Sequence, residues 1–290
     1  MRPLNVRLRE AAKRNKVILD VIEKDYAQSY VLAGLMSQPV LKETLVFKGG
    51  TALKKMFFGS YRFSEDLDFS VIQALNREEL EEIILQATDD TRKLLEPYGQ
   101  FSVEMKRLRE TSPHPRGQDA FNILVSYPWY RGRVCSIKIE ITRDEPVLLH
   151  PLIRPIIHEY DEDFNVLVRC YRIEEIVAEK MRSLLQSQER LLEGRWTRPR
   201  SRDYYDLWRL LKNFGSELDI QELTPLLKRK CDHRGVLFAG LADFFTDELI
   251  LEARTNWDRA LGSFVLDLPS CDDVLSSLRQ ILPKFFPGIS

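Results

Sequence analysis

Two acidic residues separated by one apolar residue, Asp66 and Asp68, are the residues of this 290-residue sequence most suited to chemistry. On a β-strand, positions i and i+2 lie on the same face, so the two carboxylates lie side by side while Leu67 and Phe69 point into the core. Neighbouring like charges repel, and each raises the pKa of the other. A divalent cation removes that conflict. The spacing therefore predicts a magnesium site.

A glycine pair, Gly49-Gly50, precedes the acidic pair in the segment FKGGTAL, residues 47–53. Two glycines at a turn from strand to helix let the backbone approach a ligand closely, and the amides of the helix start point towards it. The Thr51 hydroxyl can cap the helix or reach a phosphate. Taken alone, a glycine pair is more often a turn than a site, but beside the acidic pair it predicts a phosphate-binding turn. No Gly-Lys-Ser/Thr follows, so the turn is not a P-loop.

A third carboxylate, Glu140, lies in an alternating segment, residues 136–141. Three isoleucines point to one face of this strand, whereas Ser136, Lys138 and Glu140 point to the other. If the strand lies beside the acidic pair, Glu140 completes a set of three carboxylates, which can hold two magnesium ions about 3.5–4 Å apart. The alternative is a solvated strand face.

The second half of the sequence contains three further candidates with ordinary explanations. By position alone, Lys180 is a surface lysine on a helix. Asp203 lies in the first turn of the next helix, where an acidic residue is favourable without any function. The segment 190–202 holds five arginines and Trp196, which suits phosphate binding and base stacking as well as a solvated loop.

The order of elements predicts an α+β fold of two domains. Helical periodicity predicts an N-terminal helical cap over residues 7–35 and an amphipathic helix over 76–95. Strands are expected at 45–47, 67–71, 101–104, 121–125, 134–141 and 166–168, with a helix at 51–58, a loop at 111–118 and a proline-containing linker at 146–155. The rest is predicted to be helical, at 173–192, 202–214, 221–230, 241–264 and 272–282. The predicted domains are residues 1–160 and 161–290.

The composition excludes several classes of protein. A net charge of −1 means that any polyanion must bind at local patches. No apolar run reaches the length of about 18 residues that a membrane span needs. The four cysteines show no Cys-x-x-Cys spacing, which favours reduced thiols in a cytoplasmic protein over disulfides or structural zinc.

Taken together, four segments resemble the AbiEii/AbiGii-type toxin nucleotidyltransferases, the toxin half of type IV toxin–antitoxin and phage-defence pairs. They are KGGTAL (48–53), RFSEDLDF (62–69), the helix at 174–182 and RDYYDL (202–207). The resemblance implies a mixed sheet with helices of the DNA-polymerase-β type and an all-helical C-terminal half that completes the active site. It also implies transfer of a nucleotide from an NTP to an acceptor, which in the best-understood relatives is the 3′ end of tRNA, and a cognate antitoxin protein.

The resemblance also implies roles for individual residues and a requirement for Mg²⁺, with two ions expected. Catalytic and binding positions carry over as follows: the metal-binding pair Asp66 and Asp68, the phosphate-side turn Gly49, Gly50 and Thr51, the NTP-contacting Lys180, and the completing acid Asp203. Asp206 fits the last position as well as Asp203 does. Glu140 corresponds less specifically to the third metal-binding carboxylate of the family.

Two other functions are compatible with the same residues. One is a toxin that binds GTP or another NTP without turnover and acts through a protein partner, although the intact acidic pair favours an enzyme. The other is a glycosyltransferase, which also uses Asp-x-Asp to hold a metal. That class would begin with a βαβ half instead of a helical cap and does not predict Lys180 and Asp203, so it is the less favoured.

Overall fold

The computed structural model describes residues 2–73, 75–108, 118–287 and 289. These residues form two compact units, Met1–Tyr171 and Arg172–Ser290. The sequence places the domain boundary at residues 160 and 161, before the strand at Leu167–Cys170. That strand pairs with the one at Leu45–Lys48, which ties residues 167–170 to the first unit.

The first unit is built on a seven-stranded mixed sheet with strand order β3-β4-β5-β2-β1-β7-β6. The strands are β1 Leu45–Lys48, β2 Asp66–Val71, β3 Ser102–Arg107, β4 Gln118–Ser126, β5 Cys135–Thr142, β6 Leu152–Pro155 and β7 Leu167–Cys170. The pairs β2–β5 and β1–β7 are parallel, and the other four pairs are antiparallel. The central position of β2 puts the predicted acidic pair in the middle of the sheet.

Helices cover one face of this sheet. They are α1 Leu4–Asn15, α2 Leu19–Ser37, α3 Pro39–Thr44, α4 Gly49–Ala52, which continues as a π-helical segment Leu53–Phe58, and α5 Arg77–Leu95. Helices α2 and α5 pack against each other, α2 contacts β5, and α5 contacts β3. The apolar side chains of β2 and β5, including Leu67, Phe69 and Ile139, are fully buried. Strict alternation leaves the polar side chains of both strands on the other face.

The second unit consists of helices and connecting segments across its described residues. The helices are α6 Ile173–Leu192, α7 Ser201–Phe214, α8 Ile220–Arg234, α9 Asp247–Leu261 and α10 Cys271–Phe285, with a 3₁₀ turn at Leu241–Phe245. Helix α6 contacts α7, α8 and α9 and so forms the centre of the unit. A fully buried ion pair between Lys230 and Glu175, 2.9 Å apart, joins α8 to α6.

The structure confirms the predicted α+β class, with N-terminal helices, a mixed sheet and a helical second half. It differs from the sequence prediction in three elements. The N-terminal cap is broken at Lys16, whose left-handed φ of 52° ends α1. The predicted linker contains β6, an edge strand where Pro155 is tolerated. The predicted helix 241–264 is a 3₁₀ turn followed by α9. Of the predicted loop at 111–118, residues 111–117 lie outside the described part of the chain.

Two expectations from the sequence concern disulfides and membrane-spanning helices. All four cysteines are free thiols, and three of them are buried. In the described ranges, no helix has the length and hydropathy needed to cross a membrane.

The crossing of α2 and α5 depends on the absence of a side chain at Gly34. A Cβ there would lie 2.5 Å from the carbonyl oxygen of Ala87 and closer still to the Thr91 hydroxyl. In a helix, alanine is normally favoured over glycine by about 1 kcal/mol. We expect Gly34→Ala to lower the free energy of unfolding instead, by about 1–3 kcal/mol, because the two helices are forced apart.

Chemical denaturation of the wild type and the variant measures this difference. Gly132→Ala measures the cost of left-handed strain without a clash, because nothing lies within 4 Å of a Cβ at Gly132 and its φ is +76°. Gly34 has no such φ, so a loss of stability there comes from the contact with α5. An unchanged or increased stability of Gly34→Ala would show that the helices are not in close contact at this position.

Candidate active site

The polar face of β2 and β5 carries the predicted acidic residues. In the parallel ladder of β2 and β5, Asp68 lies next to Glu140 and Asp66 lies next to Lys138. Residues paired in this way point to the same side of a sheet, so all four side chains share one face. Glu140 forms an ion pair with Lys138 on its own strand. The structure thus brings Asp66, Asp68 and Glu140 to one face, as the alternation of residues predicts.

Asp66 lies in an environment that disfavours its ionised form. Burial, followed by the charge of Glu140, raises the pKa of the Asp66 carboxyl above its ordinary value, although Lys138 and Lys24 act in the opposite direction. Desolvation and a neighbouring like charge both penalise a carboxylate. A cation bound at this face would remove the repulsion and lower that pKa.

The glycine turn lies directly beside this face. Gly49 has a left-handed φ of +80°, which glycine adopts without strain. A Cβ at Gly49 would lie 3.0 Å from Cγ of Asp68 and closer still to its Oδ2. At Gly50 a Cβ would lie 2.5 Å from Nη2 of Arg62 and 2.9 Å from Oγ of Ser64. Both glycines are therefore required by the close approach of neighbouring side chains, and Gly49 holds the backbone against Asp68.

Thr51 is positioned differently from both sequence expectations. Its side chain is buried, and its hydroxyl donates a hydrogen bond of 2.6 Å to the backbone carbonyl of Asp66. The start of α4 has no side-chain cap. The sequence could not show that β2 would present a carbonyl at this point. Thr51 thus ties the glycine turn to the first residue of β2.

The residues at this face fit a magnesium ion. Magnesium prefers oxygen ligands and is usually bound by one or two carboxylates together with substrate phosphates, not by a cage made of protein alone. Asp66 and Asp68 supply two such carboxylates, and burial, followed by the charge of Glu140, raises the pKa of Asp66. Across the described residues, no group of three or more His, Cys, Asp or Glu side chains is arranged to hold a metal ion. The fit therefore rests on the pair, while the carboxylate of Glu140 contacts Lys138.

In the second unit, Lys180 is not a surface lysine. It is buried on α6, and its ammonium lies 2.9 Å from Oδ1 of Asp203 and 2.6 Å from Oδ2 of Asp206, both on α7. The side chain of Asp206 is completely buried, whereas that of Asp203 is 16% exposed. Burial raises the pKa of Asp203, but the charges of Lys180 and then Arg200 outweigh it and hold the pKa below its ordinary value. The ammonium of Lys180 is thus held between the carboxylates of Asp203 and Asp206.

Three further residues belong to these groups, and the sequence pointed to one of them, Arg200, only as part of the arginine segment 190–202. Lys48 is paired with Asp68 across β1 and β2 and is buried, with its ammonium 5.6 Å from the centre of the Tyr171 ring. Arg62 is buried against Gly50. Arg200 lies 3.3 Å from Oδ2 of Asp203. The position of Lys48 directly before the glycine pair could have indicated its place at the site. The places of Arg62 and Arg200 follow from contacts that sequence spacing does not reveal.

Comparison with known protein structures supports the fold. MenT4, a nucleotidyltransferase toxin from Mycobacterium tuberculosis H37Rv, matches 99% of this chain and 90% of its own with 22% identity and a TM-score of 0.63. A candidate nucleotidyltransferase from H. pylori matches 91% of this chain and 94% of its own with 18% identity and a TM-score of 0.54. These likenesses confirm the predicted nucleotidyltransferase fold. No curated protein matches the chain.

The model of one protein family covers most of the sequence. It describes the nucleotidyl transferase AbiEii toxin of type IV toxin–antitoxin systems and matches residues 30–282. That range includes the acidic pair and the glycine turn. It also includes Lys180, Arg200, Asp203 and Asp206, here called the Lys180 cluster. The chain therefore belongs to the AbiEii family of nucleotidyltransferase toxins of type IV toxin–antitoxin systems.

Proposed function

We propose that this toxin is a magnesium-dependent nucleotidyltransferase that moves a nucleotide from an NTP to an RNA acceptor. The acceptor that we favour is the 3′ end of a tRNA. The observation that carries the proposal is the pair Asp66 and Asp68 on one face of β2, with the backbone of Gly49 held against Asp68. Family membership implies an NTP substrate and a cognate antitoxin. We place the reaction in the cytoplasm, where NTPs and tRNA are available.

The first unit would bind the metal and the phosphates. Asp66 and Asp68 would hold magnesium, with Glu140 as a further carboxylate on the same face. Magnesium, as one ion or two, would polarise the phosphate that is attacked and neutralise the charge of the leaving pyrophosphate. The backbone amides of Gly49 and Gly50, at the start of α4, would face the phosphates, while Asp68 and Arg62 take up the space that side chains on these glycines would need. Thr51 contributes by fixing the turn to β2.

Within the second unit, we propose roles for Lys180 and for the two acids beside it. Lys180 is the proposed contact to the NTP phosphates, because its ammonium is already oriented by two carboxylates and needs little ordering on binding. Asp203 is the more suitable acid to meet a substrate, since its side chain is partly exposed. Asp206 is completely buried, so we assign it the role of orienting Lys180.

A transfer assay tests the proposed function. The purified chain is incubated with each labelled NTP, total tRNA and Mg²⁺, and the RNA is separated from free nucleotide. We expect labelled RNA, with one NTP preferred, and its loss when EDTA replaces magnesium. NTP retained in a stoichiometric amount without labelled RNA would contradict transfer and favour a binding toxin that acts through a protein partner.

The Asp66→Asn variant separates the metal role from a structural role. We expect it to abolish transfer, because an amide neither carries the charge nor replaces the ligand. Since the folded-state pKa of Asp66 is raised, ionised Asp66 destabilises the fold once the pH rises through that pKa. At neutral pH the free energy of unfolding should therefore be equal to or above that of the wild type.

Thermal melting provides a second readout for Asp66→Asn. Magnesium should raise the Tm of the wild type. This increase should become smaller as the pH falls through the raised pKa of Asp66. The Tm of Asp66→Asn should rise little or not at all. Asp163→Asn, at an exposed position of the same unit, is the matched control and should behave as the wild type does. Full transfer activity in Asp66→Asn would exclude the proposed metal role.

Gly49→Ala tests the close approach of the turn to Asp68. Its Cβ would push the Asp68 carboxylate out of place, and a displacement of about 1 Å can lower a rate about 10²-fold. Left-handed backbone strain adds a loss of about 1–2 kcal/mol in stability. Gly132→Ala has a similar φ but an open surrounding, so it should share the loss of stability and keep the rate. Equal transfer rates in the two folded variants would show that the turn does not position Asp68.

A further inference from the structure

An exposed tryptophan lies between two exposed arginines in the segment 193–200, here called the Trp196 loop. The side chain of Trp196 is 81% exposed, although tryptophan is among the residues that gain most from burial. Arg195 and Arg198, on either side of it, are also exposed. Neither the metal site nor the Lys180 cluster uses these three side chains.

The Trp196 loop is anchored to the rest of the second unit. Thr197 is buried, and its hydroxyl donates a hydrogen bond of 2.8 Å to Oγ of Ser187 on α6. Nε of Arg200 donates to the same oxygen at 2.7 Å, and the backbone amide of Arg200 donates to Oε2 of Glu252 at 3.1 Å. An anchored loop presents the indole ring to solvent with little conformational freedom to lose on binding.

The same anchor connects the loop to the Lys180 cluster. Arg200 bonds both Ser187, which holds Thr197, and Asp203, which holds Lys180. Trp196 is adjacent in sequence to Thr197. A ligand that reaches both the Trp196 loop and the Lys180 cluster therefore meets one continuous network of side chains within the second unit.

The charge around Trp196 indicates the class of ligand. In the described part of the chain, Arg198 forms no ion pair, and Arg195 pairs only with the exposed Glu193, which is a weak surface interaction. Exposed aromatic rings beside arginines are typical of surfaces that bind single-stranded nucleic acid, where bases stack and arginines contact phosphates.

We propose that Trp196 is a stacking site for an unpaired base of the RNA acceptor and that Arg198 contacts the adjoining phosphate. This inference rests on the proposed function, because it identifies where the acceptor RNA binds.

Direct binding of RNA tests the inference independently of transfer. The probe is a fluorescein-labelled single-stranded RNA of about 12 nucleotides, within the usual range for such sites, and its anisotropy is titrated with the intact chain. We expect Trp196→Ala to raise the Kd at least about fivefold, and Trp196→Phe to restore most of the affinity because a phenyl ring still stacks. Leu237→Ala is the matched control, since Leu237 is also 81% exposed but cannot stack.

The dependence of binding on salt separates stacking from phosphate contact. Arg198→Ala should reduce the slope of log K against log salt concentration by about 0.7, whereas Trp196→Ala should leave that slope unchanged. Circular dichroism confirms that the variants fold. An equal Kd for the wild type and Trp196→Ala, or no RNA binding by the wild type, would overturn the inference and favour a protein contact at this loop.

The two proposals fail in different ways. If the wild type binds the RNA through Trp196 but adds no nucleotide to any RNA, the proposed transfer is wrong and the binding site stands. If transfer occurs and Trp196→Ala changes neither the Kd nor the KM for RNA, the site is wrong and the transfer stands.

Discussion

The first unit is organised around repulsion between carboxylates on one face of a sheet. Asp66 and Asp68 lie two residues apart on β2, and Glu140 lies opposite Asp68 on β5. Burial raises the pKa of Asp66, and the charge of Glu140 adds to that effect. Sheets do not need such a cluster for stability, since apolar or neutral side chains would remove the repulsion. The proposed cation would complete this arrangement.

Several local features follow from holding these carboxylates in place. The hydrogen bond from Thr51 to the carbonyl of Asp66 fixes the start of β2. Gly49 adopts a left-handed conformation so that the backbone can pass Asp68 without a clash. In the second unit the balance of charge is different: Lys180 and Arg200 face Asp203 and Asp206, so positive and negative charges are equal in number. In that cluster the two carboxylates fix the orientation of Lys180.

Much of the fold and part of the site could be predicted from local patterns. Alternation on β2 predicted the shared face of Asp66 and Asp68, because side-chain direction in a strand depends only on position. That Glu140 shares this face depended on β5 lying beside β2, a condition that the structure meets. The strand β6 was missed because prolines normally end strands, and only its place at the sheet edge makes Pro155 acceptable. Whether a strand lies at the edge or in the centre of a sheet is decided by the whole fold and not by the strand's own residues.

The contacts of side chains from distant segments could not be predicted in this way. Helical spacing alone predicts that Lys180 lies at the surface. Spacing gives the direction of a side chain but does not show which residues pack over it. Only the resemblance to a family indicated a role, and the structure shows two carboxylates at its ammonium. The bond of Thr51 to β2 likewise depends on residues 15 positions apart meeting in space. Such contacts are determined by packing, which no short pattern contains.

The most direct test of the carboxylate pair is the location of a bound cation. Crystals of the wild type are grown with Mn²⁺ and a nonhydrolysable NTP analogue, and the anomalous signal of manganese gives its position. We expect a manganese peak within about 2.0–2.6 Å of carboxylate oxygens of both Asp66 and Asp68. Bound analogue without a manganese peak at this pair would contradict the account.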